Sequence, residues 1–337
     1  MTTVLVMGAG TIGCYLGGLL AASGAHVHFV GRPRVLDALA EHGLTVTDLE
    51  GRSEHLPADT LHLHPAPPVG LAPDVTLLCV KSGATAEAAQ SLQRTLLPGS
   101  LVLSMQNGIG NAERGGGVAA ELDWRAGMVP FNVAEIGPGH FHRGTGGALA
   151  VQAHADDAAV LALVPLFRRQ GIALETHDDL LAVQWGKLVL NLNNPVNALS
   201  GRPLRAQLVE SGYRRCVAAL QAEALDVLDA AGLHPAAVTP LAPRRLVSLL
   251  RLPTPLFRLV ARRMLRIDAK ARSSMADDLQ LGRTTEIDAL CGEVVRLAHR
   301  HGRQAPLNAR MLTLVQSWPQ SPQPYGPREL EEALGLI

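Results

Sequence analysis

The chain has 337 residues and a formal net charge of zero at pH 7. This length favours two domains, and the lack of a basic excess argues against a nucleic-acid-binding protein. Apolar residues make up 47% of the chain and aromatic residues only 3%, which favours a core of Leu, Val and Ala in an α/β or α-rich fold.

The sequence shows no signs of export or membrane insertion. The first ten residues contain no basic region typical of a signal peptide. No apolar stretch is long enough to span a bilayer. The cysteines lie far apart, without the spacing of metal ligands, and we interpret them as reduced core residues: Cys14, Cys79, Cys216 and Cys291. We expect a cytoplasmic protein with no membrane contact and no bound metal.

The first part of the chain alternates short apolar runs with helical patterns. Strands are predicted at Thr3–Met7, 27–30, 44–46, 75–80, 101–105, 127–131 and 148–153, and a helix is predicted to follow the first strand as far as Leu20. This alternation is typical of a parallel sheet covered by helices. We therefore predict an α/β fold in which residues 1–177 form a Rossmann-type, doubly wound domain.

From about residue 178 the pattern becomes helical. Helices are predicted at 179–198, 211–231, 269–281 and 286–301, so residues 178–337 should form an all-helical domain. Residues 241–266 are apolar, with several arginines and prolines. This segment could bind a membrane surface or a partner. Its prolines interrupt any long amphipathic helix, however, and favour short surface helices.

A glycine-rich sequence lies between the first predicted strand and helix and follows the pattern G-x-G-x-x-G: Gly8-Ala9-Gly10-Thr11-Ile12-Gly13. In this context the first glycine allows a tight turn, the second lets the backbone approach a pyrophosphate, and the third permits close helix–strand packing. The helix N-terminus then offers N–H donors to the phosphates. The segment predicts binding of a dinucleotide.

The end of the second predicted strand indicates which dinucleotide binds. NAD-binding proteins usually carry an acidic residue there for the ribose 2′-hydroxyl. This chain has Val30-Gly31-Arg32-Pro33-Arg34 instead. A guanidinium matches a 2′-phosphate in charge and in donor geometry, so we predict NADP. The alternative is that both arginines are simply solvated loop residues.

Lysine is rare in this chain. Among 30 basic residues, only Lys81, Lys187 and Lys270 are lysines. Arginine cannot give up a proton near neutral pH, whereas lysine can, so a retained lysine can mark proton chemistry. Lys187, Asn191 and Asn194 have the spacing i, i+4, i+7, which places them on one face of a helix. We interpret Lys270 as a solvated helix residue.

Several segments together resemble the ketopantoate reductases (2-dehydropantoate 2-reductases). They are the glycine loop, the strand-ending Lys81, Gln106-Asn107-Gly108, the helix carrying Lys187, Asn191 and Asn194-Pro195, and Ser273-Ser274-Met275 followed by Thr285-Glu286-Ile287-Asp288. The resemblance extends over nearly the whole chain. It implies a Rossmann domain followed by a C-terminal domain like that of 6-phosphogluconate dehydrogenase, and it allows for a homodimer.

The resemblance also implies roles for individual residues. Lys187 matches the general acid that protonates the ketone oxygen, and Glu286 matches a carboxylate that holds the substrate hydroxyl and orients the lysine. The implied substrate-binding residues are Asn107, Asn191, Asn194 and Ser274. The implied cofactor-binding residues are Gly8, Ala9, Gly10, Thr11, Ile12, Gly13, Arg32, Lys81, Asn107 and Glu286. We interpret Asp278 and Asp288 as helix caps or ion-pair partners.

The implied function is the NADPH-dependent reduction of ketopantoate to (R)-pantoate in pantothenate and coenzyme A biosynthesis. A first alternative is a relative that reduces a different small 2-keto acid. An opine or hydroxyacid dehydrogenase would usually need a catalytic histidine. A non-catalytic NADP-binding regulator would have no need for Lys187 and Glu286.

The chain departs from the family pattern in two segments. Pro130 and Phe131 stand where small and hydroxyl residues are expected, and residues 235–268 are longer and more basic than in compact members. We expect these differences to reshape the substrate pocket or the subunit contacts.

The pairs His62/His64 and His140/His142 could suggest a metal site, but exposed strand positions are the simpler interpretation because a third ligand is not evident.

Overall fold

The computed structural model describes residues 1–154, 156–262, 264–265, 271–320 and 322–337. The chain divides into two units, Met1–Leu180 and Leu181–Ile337, whereas the sequence predicts a division at residue 178. Lys270 and the start of the predicted helix 269–281 lie outside the described residues.

The first unit is an α/β domain. Its elements in chain order are β1 (Thr3–Met7), α1 (Thr11–Ala22), β2 (His26–Val30), α2 (Pro33–His42), β3 (Leu44–Asp48), β4 (Ser53–Leu56), β5 (His62–His64), β6 (Val75–Leu78), α3 (Thr85–Gln93), β7 (Leu101–Ser104), α4 (Asn111–Val118), β8 (Asp123–Met128), β9 (Val133–Gly137), β10 (His140–Arg143), β11 (Leu149–Gln152), α5 (Ala158–Arg169) and β12 (Leu174–His177).

Most strands belong to one sheet with the order β12-β11-β8-β7-β6-β1-β2-β5. The strands from β5 to β8 run parallel, which confirms the Rossmann-type fold, but β11 pairs antiparallel with β8. The sheet is therefore mixed rather than wholly parallel. The prediction that the strand at 44–46 belongs to the parallel sheet is wrong, because β3 lies in a separate sheet with the order β4-β3-β10-β9.

Both faces of the larger sheet are covered by apolar side chains. Along β1, Val4 and Val6 belong to one buried cluster and Leu5 belongs to another. Side chains alternate between the faces of a strand, so a strand buried on both faces appears as a continuous apolar run. This explains why the sequence pattern located β1, β2, β6 and β7, whose carboxyl ends carry the loops described below.

The second unit is helical, as predicted. Its elements are α6 (Leu181–Asn191), α7 (Asn193–Ser200), α8 (Leu204–Val209), α9 (Ser211–Ala230), α10 (Pro243–Leu250), α11 (Thr254–Val260), α12 (Ser274–Gln280), a π-helical turn (Asp288–Gly292), α13 (Glu293–Arg300), α14 (Pro306–Ser317) and α15 (Pro327–Leu334). The long helix α9 packs against α6, α7, α13 and α14. It therefore forms the common support of the unit.

The basic segment 241–266 forms the short helices α10 and α11 in its described part, as predicted. A fully buried arginine, Arg214, anchors it. Its guanidinium donates to the carbonyls of Leu208 and Val209 at the end of α8 and to those of Leu250 and Leu252 at the end of α10. Carbonyl groups at helix C-termini lack intrahelical donors, so the cation satisfies two helix ends at once.

Among the described helices, none has the length and hydropathy needed to span a bilayer.

The histidine pairs are less exposed than predicted. His62 is exposed, but His64, His140 and His142 are half-buried. The β2–β5 pairing places His26 and His28 beside the first pair, with N···N distances of 2.7 Å from His26 to His62 and 2.9 Å from His28 to His64. Within the described ranges, no group of His, Cys, Asp or Glu side chains is arranged to hold a metal ion.

The histidine cluster formed by His26, His28, His62 and His64 predicts that the protein loses stability at acidic pH. Burial, together with the three neighbouring imidazoles, lowers the pKa of His28 to about 4. An unfolded histidine titrates near 6.5, so between pH 6.5 and 4 protons bind preferentially to the unfolded chain. The contribution of His28 to stability is therefore complete above pH 6.5 and is lost as the pH falls towards 4.

Urea unfolding at pH 7.5 and pH 5 measures this loss. The free energy of unfolding should fall less in His28→Leu than in the wild type between the two pH values, by roughly 1–2 kcal/mol. His301→Leu, at an exposed position in the second unit, is the control and should behave like the wild type. Equal losses in the wild type and His28→Leu would show that the cluster does not cause the acid sensitivity.

Candidate active site

The glycine loop has the backbone geometry that dinucleotide binding requires. Gly8 has φ +109°, and a Cβ on Gly13 would collide with the Gly8 carbonyl. A Cβ on Gly10, in contrast, would meet none of the described atoms within 4 Å, which leaves room for a phosphate group. The N–H groups of Thr11, Ile12 and Gly13 lie in the first turn of α1, where N–H groups have no intrahelical acceptor. Together these features suit a pyrophosphate.

The end of β2 lies directly against this loop. The N–H groups of Gly8 and Ala9 donate to the carbonyl of Val30 at 3.0 and 2.7 Å, and a Cβ on Gly31 would lie 2.7 Å from that of Ala9. Arg32 follows with an exposed side chain. The structure therefore places Arg32 beside the glycine loop, where the ribose of a dinucleotide would lie.

The two arginines of this segment differ in their contacts. Arg34 forms a bidentate pair with Glu135, with N–O distances of 3.3 and 3.1 Å. Arg32 has no ion-pair partner among the described residues, although it starts α2 as its N-cap. Of the two cations, Arg32 is the one available to an external anion.

Lys81 and Asn107 follow neighbouring strands, β6 and β7. A Cβ on Gly8 would lie 2.7 Å from the backbone nitrogen of Val80, so the loop after β6 also contacts the glycine loop. Lys81 is exposed and Asn107 is half-buried. The structure therefore brings the first-unit candidates to one edge of the sheet, at the carboxyl ends of parallel strands, where ligands of such sheets bind.

Lys187 is a buried lysine on α6. Only 8% of its surface is exposed, and burial lowers its pKa from 10.5 to about 8, because a desolvated ammonium loses its proton more readily. Asn191 lies one turn further along the same helix and is also buried. The neighbouring Gly186 packs so closely against the Ala236 carbonyl that a Cβ would collide with it. Glycine at this position allows α6 to pack closely against the segment that contains Ala236.

The predicted helix 179–198 is in fact two helices, because α6 ends at Asn191 and α7 begins at Asn193. Asn194 lies in the first turn of α7. Its carbonyl accepts a hydrogen bond from the hydroxyl of Ser273 at 3.3 Å. Ser273 is the N-cap of α12, and the exposed Ser274 is its first residue. Asn194 and Ser274 are therefore brought together within the second unit.

Two residues that the sequence did not single out as site residues support this arrangement, Asn197 and Ser273. Asn197 is fully buried; its amide oxygen accepts the N–H of Ser273 at 2.9 Å, and its amide nitrogen donates to the carbonyl of Arg202 at 2.9 Å. The signal for Asn197 was present in the sequence, because it lies three residues beyond Asn194 on the same helical face. Ser273 belongs to the family motif, and its side chain caps the helix α12.

Glu286 is half-buried and lies just before the π-helical turn. Its carbonyl accepts the N–H of Ala289 at 3.0 Å. Turns of this type are rare and are often found at functional sites. Two residues further on, Asp288 pairs with Arg296 at 3.0 Å, which confirms its interpretation as an ion-pair partner.

The expectation that Phe131 reshapes the substrate pocket is not supported by its position. Only 3% of its surface is exposed. Its ring lies edge-on to Tyr15, with centroids 5.7 Å apart, and the Arg143 guanidinium lies 5.4 Å from its centroid. Phe131 is therefore a core residue of the first unit, and its large side chain fills the interior.

Comparison with known proteins identifies the family. Residues 4–156 match the family described as Ketopantoate reductase PanE/ApbA, and residues 179–318 match Ketopantoate reductase PanE/ApbA C terminal. The chain belongs to the ketopantoate reductase family. As a member, it is an oxidoreductase that acts on CH–OH groups and depends on a nicotinamide dinucleotide, which agrees with the geometry of the glycine loop.

Individual relatives align over most of their length. The chain is 28% identical to a 2-dehydropantoate 2-reductase of Pyrococcus horikoshii, covering 93% of this chain and 96% of the relative. It is also 28% identical to the enzyme of the same name from Halobacterium salinarum, covering 93% and 97%.

Solved structures show the same architecture. A PanE/ApbA family ketopantoate reductase from Ralstonia eutropha superposes with a TM-score of 0.76 at 29% identity, covering 94% of this chain and 97% of the other. D-mandelate dehydrogenase, solved with NADH and anilino(oxo)acetate, has a TM-score of 0.77 at 19% identity, covering 95% of this chain and 99% of the other. The second likeness concerns the fold alone.

Proposed function

We propose that this protein reduces 2-dehydropantoate to (R)-pantoate with NADPH, as a step of pantothenate and coenzyme A biosynthesis. The observation that carries this proposal is Lys187, a buried lysine with a pKa lowered to about 8 in a chain of the ketopantoate reductase family. Relatives named 2-dehydropantoate 2-reductase match over more than nine-tenths of the chain.

Lys187 acts as the general acid. Reduction of the ketone places negative charge on its oxygen, and a cation with a transferable proton stabilises that charge. At neutral pH a group with a pKa of about 8 is mostly protonated and still releases its proton readily. Burial thus moves Lys187 from a spectator cation into the range of an efficient acid. The proton passes from Nζ to the ketone oxygen, which becomes the hydroxyl of the product.

The remaining second-unit residues bind and orient the substrate. The amides of Asn191 and Asn194 and the hydroxyl of Ser274 supply hydrogen bonds to its polar groups, and the Glu286 carboxylate accepts the hydrogen bond of its hydroxyl. Asn197 and Ser273 hold Asn194 and Ser274 in place through the hydrogen bonds between α7 and α12. Lys187 and these residues belong to the helical unit.

The first-unit residues bind the cofactor, which supplies the hydride for the ketone carbon. The backbone from Gly8 to Gly13 would hold the pyrophosphate, and Arg32 would hold the 2′-phosphate. Lys81 and Asn107 would contact the nicotinamide side. The exposed Arg32 beside the glycine loop supports NADPH over NADH. We also propose that the protein forms a homodimer, as the family resemblance allows.

Steady-state NADPH oxidation with a panel of 2-keto acids tests the substrate. Ketopantoate should give a kcat/KM at least about 10²-fold higher than 3,3-dimethyl-2-oxobutanoate, which has the same carbon skeleton but lacks the hydroxyl. A site that hydrogen-bonds a hydroxyl discriminates strongly against an analogue without it. Preference for another keto acid would favour the alternative substrate. Tight NADPH binding without turnover of any acid would favour the non-catalytic regulator.

A further inference from the structure

A buried polar network joins the two loops that carry Lys81 and Asn107. The hydroxyl of Ser82 and the amide nitrogen of Asn111 both donate to the backbone carbonyl of Asn107, each at 2.9 Å. The same Asn111 nitrogen lies 3.3 Å from the Ser82 hydroxyl. Ser82 and Asn111 are 9% and 3% exposed, so both donor side chains are largely shielded from water. We call this arrangement the Asn107 carbonyl clamp.

The orientation of the Asn111 amide is itself fixed. Arg114 donates from Nη1 to Oδ1 of Asn111 at 2.8 Å. A guanidinium can only donate, so the amide oxygen must face Arg114 and the amide nitrogen must face the Asn107 carbonyl. The clamp is therefore directional, and Arg114 sets its direction.

The loop after β7 needs such a restraint. Gly108 and Gly110 adopt φ +89° and +75°, and glycine has more backbone freedom than any other residue. Before the clamp, Gln106 ties the same loop to the β6 side by donating to the Val80 carbonyl at 2.9 Å and to the Thr85 hydroxyl at 2.8 Å. The bonds of Gln106 thus hold the start of the loop, and the clamp holds the next peptide, that of Asn107.

The geometry points to Ser82 and Asn111 as positioning residues. They hold Asn107, and also Lys81, which directly precedes Ser82, in the orientation needed to bind the nicotinamide side of the cofactor. This inference rests on the proposed roles of Lys81 and Asn107. A donor pair on one carbonyl fixes a peptide plane, and small displacements of binding groups reduce both affinity and rate. Neither positioning residue needs to touch the cofactor.

Ser82→Ala tests the clamp against a matched control, Ser23→Ala. Each replacement removes one buried hydroxyl of the first unit that donates to a backbone carbonyl, at 2.9 Å to Asn107 and at 2.8 Å to Leu166. Both variants should lower the thermal midpoint by similar amounts. Ser82→Ala should raise the Kd for NADPH by about fivefold, and so should Asn111→Ala, whereas Ser23→Ala should leave it unchanged. Ser82→Thr retains the hydroxyl and should restore the wild-type Kd.

The Kd is measured by fluorescence titration without substrate, so failure of the ketopantoate assignment leaves this test intact. With the enzyme's substrate, kcat of Ser82→Ala should fall as well, while that of Ser23→Ala stays within about twofold of the wild type. An unchanged Kd for Ser82→Ala and Asn111→Ala, with both variants folded, would overturn the inference. So would an equal rise in Kd for Ser23→Ala, because the effect would then be general destabilisation.

Discussion

Replacing Lys187 with arginine is expected to lower kcat for ketopantoate reduction by about 10²–10⁴-fold. Arginine keeps the positive charge but holds its proton far too tightly to act as an acid near neutral pH. Lys187→Ala, which removes both charge and proton, should lose at least as much activity. The measurement is NADPH oxidation at saturating ketopantoate and cofactor, at pH 7.

The control for both variants is cofactor binding. The proposed NADPH-binding residues belong to the first unit, except for Glu286, so the Kd for NADPH should remain within about threefold of the wild-type value. A variant that loses activity together with cofactor binding would point to misfolding and calls for the thermal midpoint to be compared. Wild-type kcat in a folded Lys187→Arg variant would refute the assignment of the general acid.

Replacing Arg32 with alanine is expected to raise KM for NADPH by roughly 10- to 150-fold, the loss that corresponds to one charged hydrogen-bonding interaction of about 1.5–3 kcal/mol. KM for NADH should change little, because NADH carries no 2′-phosphate. The reason is positional: Arg32 is exposed beside the glycine loop and has no ion-pair partner among the described residues.

Arg34→Ala is the matched control for Arg32→Ala. Arg34 lies two residues away on the same segment, but its guanidinium donates to the Glu135 carboxylate from both Nη1 and Nη2. This replacement should leave the ratio of KM values for NADPH and NADH nearly unchanged. If Arg34→Ala changes the ratio and Arg32→Ala does not, the residue that recognises the 2′-phosphate has been misassigned.

Features that depend on local sequence were predictable. The glycine loop could be recognised because the tight turn at Gly8, the approach of a pyrophosphate at Gly10 and the close helix–strand packing at Gly13 each favour glycine. The strands buried on both faces were visible as apolar runs, and the helical second half was visible from its periodicity. The short helices in the basic segment followed from the positions of the prolines.

Features that depend on pairing between distant segments were not predictable in the same way. No local pattern states that β3 leaves the main sheet to pair with β4 and β10. The histidine cluster arises only when β5 pairs with β2. Phe131 is likewise buried against Tyr15, which is far away in sequence, and against Arg143 of β10. Strand register and cross-strand contacts are set by the folded sheet as a whole.

The candidate site shows the same division. Lys187, Asn191 and Asn194 could be grouped by helical spacing, yet their helix breaks at Leu192, between α6 and α7. The lowered pKa of Lys187 comes from burial, which a spacing pattern cannot show. Helical spacing could have added Asn197 to this group, but its bond to Ser273 joins two distant segments. The bond from Ser82 to the Asn107 carbonyl also joins distant segments, so it became apparent only in the structure.

The pH dependence of kcat/KM for ketopantoate reduction by NADPH tests whether Lys187 is the general acid, because this parameter reports the ionisation of the free enzyme. Lys187 must be protonated to act, and its pKa is about 8. We predict a kcat/KM that declines with increasing pH through about 8 and falls about tenfold for each further pH unit, a decline that is absent from the residual activity of Lys187→Arg. A wild-type profile that stays level to pH 9.5 would contradict the assignment of Lys187 as the general acid.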